Sequence, residues 1–210
     1  MISARQALER LREGNRRFAS DQGAGRSLTS QVRRYEVAEG QEPFAIILGC
    51  SDSRVPAEIV FDQGLGDLFV IRVAGNIVAP SQIGSVEFAA SNFGTQLVVV
   101  LGHSMCGAVL ATLVEMQRPT QDQSPNLRSI VGRIRPAIEA LPAATAHTGR
   151  DELVPRSIRA NVLASVNHLR HGSQILEQLI RSDRLVVVGA EYSLESGLVD
   201  FFAGPPGMED

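Results

Sequence analysis

The sequence predicts an α/β fold: one domain over residues 1–210, with a mostly parallel central β-sheet flanked by helices and an N-terminal helical arm over residues 1–40. Three observations carry this. Four short apolar runs, 44–48, 68–73, 97–101 and 185–188, show no polar/apolar alternation, as expected of strands buried on both faces of a parallel sheet. Helical patterns separate the runs, and alternating strands and helices argue for parallel βαβ units. With 210 residues, 44% of them hydrophobic, the chain can bury a full core without disulfide staples.

Each element follows in order. Residues 3–19 place Ala4, Leu8, Leu11 and Phe18 at near-helical spacing with Ser3 as N-cap. The apolar face is narrow, so this helix is expected to pack on a neighbour. The stretch DQGAGRSLTS (21–30) reads as a loop. After the strand at 44–48 come helical patterns at 57–61, 85–92, 108–116, 127–141, 156–169 and 174–181. The segments 118–126 and 142–152 are small or polar and read as loops. No internal repeat or low-complexity tract interrupts the chain.

Composition removes several classes of function. A net charge of −3 and a pI of about 5.8 leave no basic footprint for nucleic acid or anionic lipid. No apolar run approaches the ~20 residues that span a bilayer. The charged, amphipathic N-terminus lacks the apolar segment of a signal peptide. Two cysteines exclude a disulfide framework and fit a reducing, cytoplasmic compartment.

Ligands in open α/β sheets gather at the carboxyl ends of the strands. The run 44–48 leads into Gly49-Cys50-Ser51-Asp52-Ser53-Arg54, and the run 97–101 into Gly102-His103-Ser104-Met105-Cys106-Gly107. Both cysteines therefore fall just past strand ends on one edge of the sheet. His103 and Cys106, three apart across a turn, can converge on one ion, and Cys50 can complete the set from the adjacent strand. Two Cys and one His with an open fourth position is a pattern of catalytic zinc. The plain alternatives are two small buried hydrophobes or a disulfide. His147, His168 and His171 lie in polar contexts and read as exposed. Asp52 is positioned either to bind the metal or to pair with Arg54, which would keep it ionised; an ordinary surface ion pair is the alternative.

The blocks CSDSR and GHSMCG, with their spacing, resemble the signature of the β-class carbonic anhydrases. The N-terminal AL-x-x-L-x-x-GN-x-RF, the GQEP before the first strand and the later GAEYSLESG extend the similarity over nearly the whole chain. The resemblance implies one Zn2+ per subunit on Cys50, His103 and Cys106, with Asp52 and Arg54 as the catalytic dyad. It implies a bicarbonate contact from Gln41 and the Gly107 backbone, and an apolar CO2 slot of Val55, Phe69 and Phe88, partly from a second subunit of a homodimer or tetramer. Phe88 stands where the family often has Tyr. Of an inhibitory bicarbonate site built from Trp, Arg and Tyr, Arg72 and Tyr192 have counterparts here, but Ile47 occupies the Trp position and the chain has no Trp.

The implied reaction is attack on CO2 by zinc-bound hydroxide, oriented by Asp52 and Arg54. Two thiolates cancel the zinc charge and acidify water less than the three neutral imidazoles of other carbonic anhydrases. Activity is therefore expected to rise through mildly alkaline pH. An inactive arrangement, with Asp52 on the zinc and its pair with Arg54 broken, is the alternative state. Three other functions compete. One is hydrolysis of carbonyl sulfide or carbon disulfide at the same site. A serine hydrolase elbow at Ser104 is a second, but Cys106 takes the place of its last glycine. The third is a structural zinc or thiol-redox module, which the absence of C-x-x-C weakens.

Overall fold

The computed structural model describes residues 2–23, 29–118, 124–142 and 150–209. His147 and parts of the segments read as loops lie outside them. A five-stranded sheet in the order β2-β1-β3-β4-β5 forms the centre. Its strands are β1 (Ala45–Gly49), β2 (Leu68–Arg72), β3 (Leu97–His103), β4 (Val186–Tyr192) and β5 (Val199–Ala203). The pairs β1–β2, β1–β3 and β3–β4 are parallel, and β5 closes the edge antiparallel.

Every residue of β1 and β3 is buried, as the unbroken apolar runs require of central parallel strands. Strand β5 has no such run. It alternates buried and half-buried residues from Val199 to Ala203, because an antiparallel edge strand packs only one face. That alternation, after the left-handed Gly197 (φ 75°), is the signal that would have found it. Strand β4 continues past Gly189 to Tyr192, since Glu191 and Tyr192 pair with Gly102 and His103.

Eight helices are described: α1 (Ala4–Ala19), α2 (Gln31–Glu36), α3 (Ala57–Val60), α4 (Pro80–Phe93), α5 (Gly107–Gln117), α6 (Pro125–Glu139), α7 (Arg150–His171) and α8 (Gln174–Arg181). Helix α7 starts within the stretch read as a loop and continues through Pro155. Its inward stripe, Ile158, Val162, Val166 and Leu169, is buried. His168 and His171 are exposed, as expected.

The N-terminal helix corrects one expectation. Ser3 caps it with Gln6 in a reciprocal capping box. Its apolar stripe, however, lies on this chain's own core: Ala7, Leu8 and Leu11 are at most 1% exposed, clustered with Phe61 and Phe201. Four polar contacts fix the docking. Asn15 Nδ2 donates to Val60 O (3.1 Å) and Gly197 O (2.8 Å), while Asn15 Oδ1 accepts from Val199 N (2.8 Å). Arg17 Nε sits 2.6 Å from Asp62 Oδ2. The stripe is narrow because it fits a groove beside α3, not because it awaits a partner. By contrast, α2 buries no residue and exposes Val32 and Tyr35.

Gly14 permits the close approach of α1. A Cβ there would lie 1.9 Å from Phe61 O, a backbone atom that cannot rotate away. Alanine normally gains up to ~1 kcal/mol over glycine inside a helix, but the overlap outweighs that gain. Gly14→Ala is expected to lower stability by about 2 kcal/mol, read as a fall of roughly 5 °C in melting temperature.

Candidate metal centre

From β1 the chain turns outward to β2, then crosses back to place β3 on the other side of β1. The two connections leave β1 and β3 in opposite directions, and a crevice opens between their carboxyl ends. Cys50 follows the last residue of β1. His103 is the last residue of β3, and Cys106 is the N-cap of α5. Met105, in the left-handed region (φ 56°), bends the chain back between the two.

One ligand atom from each of Cys50, His103 and Cys106 lies within 4.8 Å of the others, and all three residues are buried. They are the one such metal-holding group among the described residues. Both cysteines are free thiols, so the disulfide alternative is not realised. His103 is fully buried, and its Nδ1 is 2.9 Å from Ser104 O. That contact assigns the proton to Nδ1 and leaves a lone pair on Nε2. Nε2 is buried with no hydrogen-bond partner, a costly state for a polar atom that a metal ion would relieve. Two sulfurs and the orphaned imidazole nitrogen in one buried spot suit zinc.

The protonation of the two thiols is coupled. The neighbouring Cys106 thiol, with smaller contributions from His103 and the Gly75 and Asp52 backbone, outweighs burial and holds the Cys50 thiol well below the usual range. The same contact, together with burial, pushes Cys106 up. Burial opposes charge on His103, but Cys50, Ser104 O and Asp52 outweigh it and raise its pKa.

Asp52 and Arg54 form a two-point ion pair: Nε to Oδ1 is 2.9 Å and Nη2 to Oδ2 is 2.7 Å, with Arg54 N donating to Oδ1 at 3.0 Å. The Arg54 guanidinium holds the Asp52 carboxyl well below the usual carboxylate range. Oδ2 lies 3.8 Å from His103 Nε2. The segment carrying Cys50 and Asp52 is held from behind by Arg72, whose Nε donates to Cys50 O (3.1 Å) and Nη2 to Asp52 O (2.6 Å). Gly75 N donates to Cys50 Sγ at 3.3 Å. Sequence reasoning missed both supports: it read Arg72 only against an inhibitory bicarbonate site, and the backbone N–H of Gly75 leaves no side-chain signature. Only the glycine after β2 hinted at the second.

The remaining residues divide. Gly107 opens α5 beside Cys106, and Val55 is buried just past Arg54, its N–H bonded to Asp52 O. Gln41 is not brought to the cluster: it precedes β1, at the opposite end of that strand from Cys50. Phe69 pairs with Ile46, four residues before Cys50, or ~13 Å along the strand. Phe69, Phe88 and Phe93 instead stack on one another, with centroids 5.8–6.2 Å apart. Ile47, at the Trp position, is wholly buried in β1. Ser104 Oγ, the candidate nucleophile of a hydrolase, accepts a hydrogen bond from Leu194 N (3.0 Å).

Fold and site together define an α/β protein with a buried Cys-His-Cys group that could hold a metal ion at the switch point of its sheet. The carbonic anhydrase family profile matches residues 45–199. Carbonic anhydrase 2 of Mycobacterium tuberculosis (strain H37Rv) is 38% identical over 191 residues, covering 91% of this chain and 89% of that protein. Carbonic anhydrase of Mycolicibacterium smegmatis is 37% identical over 195 residues, covering 92% and 91%. Among solved structures, the β-carbonic anhydrase CafA of Aspergillus fumigatus superposes with a TM-score of 0.71 at 28% identity, covering 80% of this chain and 78% of that one. The Coccomyxa β-carbonic anhydrase, solved with acetazolamide, gives 0.72 at 26% identity, covering 92% and 85%. The chain belongs to the β-class carbonic anhydrases, enzymes that hydrate carbon dioxide. Among the described residues, no helix is long and apolar enough to cross a membrane.

The Asp52–Arg54 pair sets a pH test. A depressed carboxyl pKa stabilises the folded chain above the ordinary value and loses that contribution as pH falls through the lowered one. The Asp52 carboxyl 13C shift should stay flat down to about pH 3, whereas in Arg54→Ala it should titrate near ~4.

Proposed function

We propose that this chain catalyses the zinc-dependent, reversible hydration of CO2 to bicarbonate and a proton, with one Zn2+ per subunit held by Cys50, His103 and Cys106. The observation that carries the reading is the buried, orphaned Nε2 of His103 beside two free thiols at the switch point. Zinc held there would act as a Lewis acid that supplies hydroxide at neutral pH.

The chain's own residues do the rest. Asp52, kept ionised by Arg54, accepts a hydrogen bond from the attacking hydroxyl at Oδ2 and aims its lone pair at the carbon of CO2. Its two-point engagement with Arg54 favours this open arrangement over one with the carboxylate on the metal. Val55 supplies apolar surface next to the dyad, and the Gly107 backbone at the start of α5 faces the product anion. Gln41 and the Phe69–Phe88 pair cannot serve the site of their own subunit, given their place along β1 and β2. Their roles as bicarbonate contact and apolar wall require a second subunit, so the active form is a homodimer or a tetramer. Tetrameric β-carbonic anhydrases of Sordaria macrospora share the fold. The working compartment is the cytoplasm, where two buried thiols stay reduced.

Stopped-flow CO2 hydration on metal-quantified protein tests this reading. Wild-type protein should carry one zinc per chain and turn over CO2, and Cys50→Ser should lose both. Asp52→Asn should keep its zinc while kcat/KM falls about 100-fold; unchanged turnover would leave the site a structural one. Two thiolates offset the metal's charge, so kcat/KM should rise with pH across the mildly alkaline range instead of levelling off at neutrality. Acetazolamide should inhibit. Turnover of carbon disulfide in preference to CO2 would redirect the assignment.

A further inference from the structure

Helix α7 carries two buried stripes. One is apolar: Ile158, Val162 and Val166. The other, one residue back, is polar: Ser157, Asn161 and Ser165 are 0%, 2% and 5% exposed. Burying an amide against the sheet is unfavourable unless it finds a partner. Ser157 bonds within its own helix, to Leu153 O. The other two reach out to a single target, the 3-10 turn Ala74–Asn76 that follows β2. Asn161 Nδ2 donates to Gly75 O (2.8 Å), and Ser165 Oγ donates to Asn76 O (2.9 Å).

That turn faces the metal centre. Gly75 N donates to Cys50 Sγ at 3.3 Å. Its backbone is left-handed (φ 71°), and an added Cβ would lie 2.8 Å from Ile134 Cδ1 and 3.0 Å from Ala108 Cβ. The position therefore combines a conformation suited to glycine with a space that admits no side chain. Left alone, glycine is the residue most free to rotate. Asn161 removes that freedom on the carbonyl side, while the N–H on the other side meets the sulfur. Cys106 has no need of such a device, because as N-cap of α5 it faces the free Ala108 and Val109 N–H groups. Cys50 follows a strand, where no helix N-terminus is available.

We propose that Asn161 is a positioning residue of the metal centre: by holding the Gly75 carbonyl it restrains the backbone rotation of that glycine, keeps the N–H of the preceding peptide on Cys50 Sγ, and so sets how strongly that sulfur grips and donates to the metal. An N–H donated to a thiolate stabilises its charge. It also draws density from the sulfur, leaving more positive charge on the ion. The inference rests on the zinc reading above and extends it to a residue that touches neither metal nor substrate.

The test uses full-length wild type, Asn161→Ala, the milder Asn161→Ser, and Thr95→Val as a control. Thr95 is equally buried, and its Oγ1 donates to Pro43 O at 2.7 Å, before β1 and away from the site. Three properties are measured: zinc affinity by chelator competition, the sulfur-to-metal absorption band of the Co(II)-loaded protein, and the melting temperature. Asn161→Ala should weaken zinc about tenfold, as loss of a ligand's supporting hydrogen bond does, and move the band to lower energy. Asn161→Ser should do the same to a smaller degree, and supplies the reading if the alanine variant does not fold. Thr95→Val should lower the melting temperature and leave affinity and band unchanged. Asn161 variants that bind and absorb like wild type, or a Thr95→Val shift of equal size, would overturn the proposal while leaving the zinc site standing. Failure of the wild-type chain to take up stoichiometric zinc or cobalt would overturn both.

Discussion

Two sulfurs and an imidazole nitrogen, buried within 4.8 Å of one another, form the arrangement on which the rest of the molecule depends. Such a cluster is unfavourable by itself. Thiolates repel, desolvation opposes their charge, and His103 Nε2 is left without a hydrogen bond. It becomes favourable around a cation. The fold assembles it from strand ends that could not avoid meeting: β1 and β3 are neighbours in perfect parallel register from Ile46↔Val98 to Gly49↔Leu101. Cys50 and His103 are thus delivered by the sheet, and one left-handed residue, Met105, swings Cys106 back to join them.

Around this cluster the polar groups are arranged by direction. Backbone N–H groups face the sulfurs, and Ser104 O faces His103 Nδ1. Arg72 binds the carbonyls of Cys50 and Asp52 from behind, so their peptide oxygens are satisfied without turning toward the ligand side. Arg54 takes both oxygens of Asp52 and so restrains the carboxylate, whose Oδ2 lies 3.8 Å from His103 Nε2. In a chain where Ile47 fills the Trp position, Arg72 has this structural employment whether or not an anion binds nearby.

The sheet also separates tasks along its length. The chemistry-bearing side chains lie at the carboxyl ends of β1 and β3, while Gln41 and the stack of Phe69, Phe88 and Phe93 lie toward the other end. A five-residue strand spans about 17 Å, beyond the reach of a glutamine side chain. Helix α1 is committed to its own core through Gly14 and Asn15, so it is α2, with Val32 and Tyr35 exposed, that leaves apolar surface on the N-terminal segment.

The sequence by itself determined the architecture and the meeting of two cysteines with a histidine. Short unbroken apolar runs alternating with helical patterns read as strands covered on both faces, and the two blocks that follow them put Cys50, His103 and Cys106 just past strand ends on one edge. It also marked Asp52 and Arg54, since residues two apart in a turn pair locally. Strand β5 escaped because an edge strand carries a weaker pattern than a central one, and α1 was misread because a narrow stripe does not say whose groove it fills. Only the tertiary structure decided that Asn161, eighty-six residues from Gly75 in the chain, steadies the N–H on Cys50, and that Gln41 lies away from its own cluster. Periodicity is a property of the local backbone and survives in the sequence. The meeting of a peptide group with a sulfur is set by how a helix settles on a sheet, and no residue type records it.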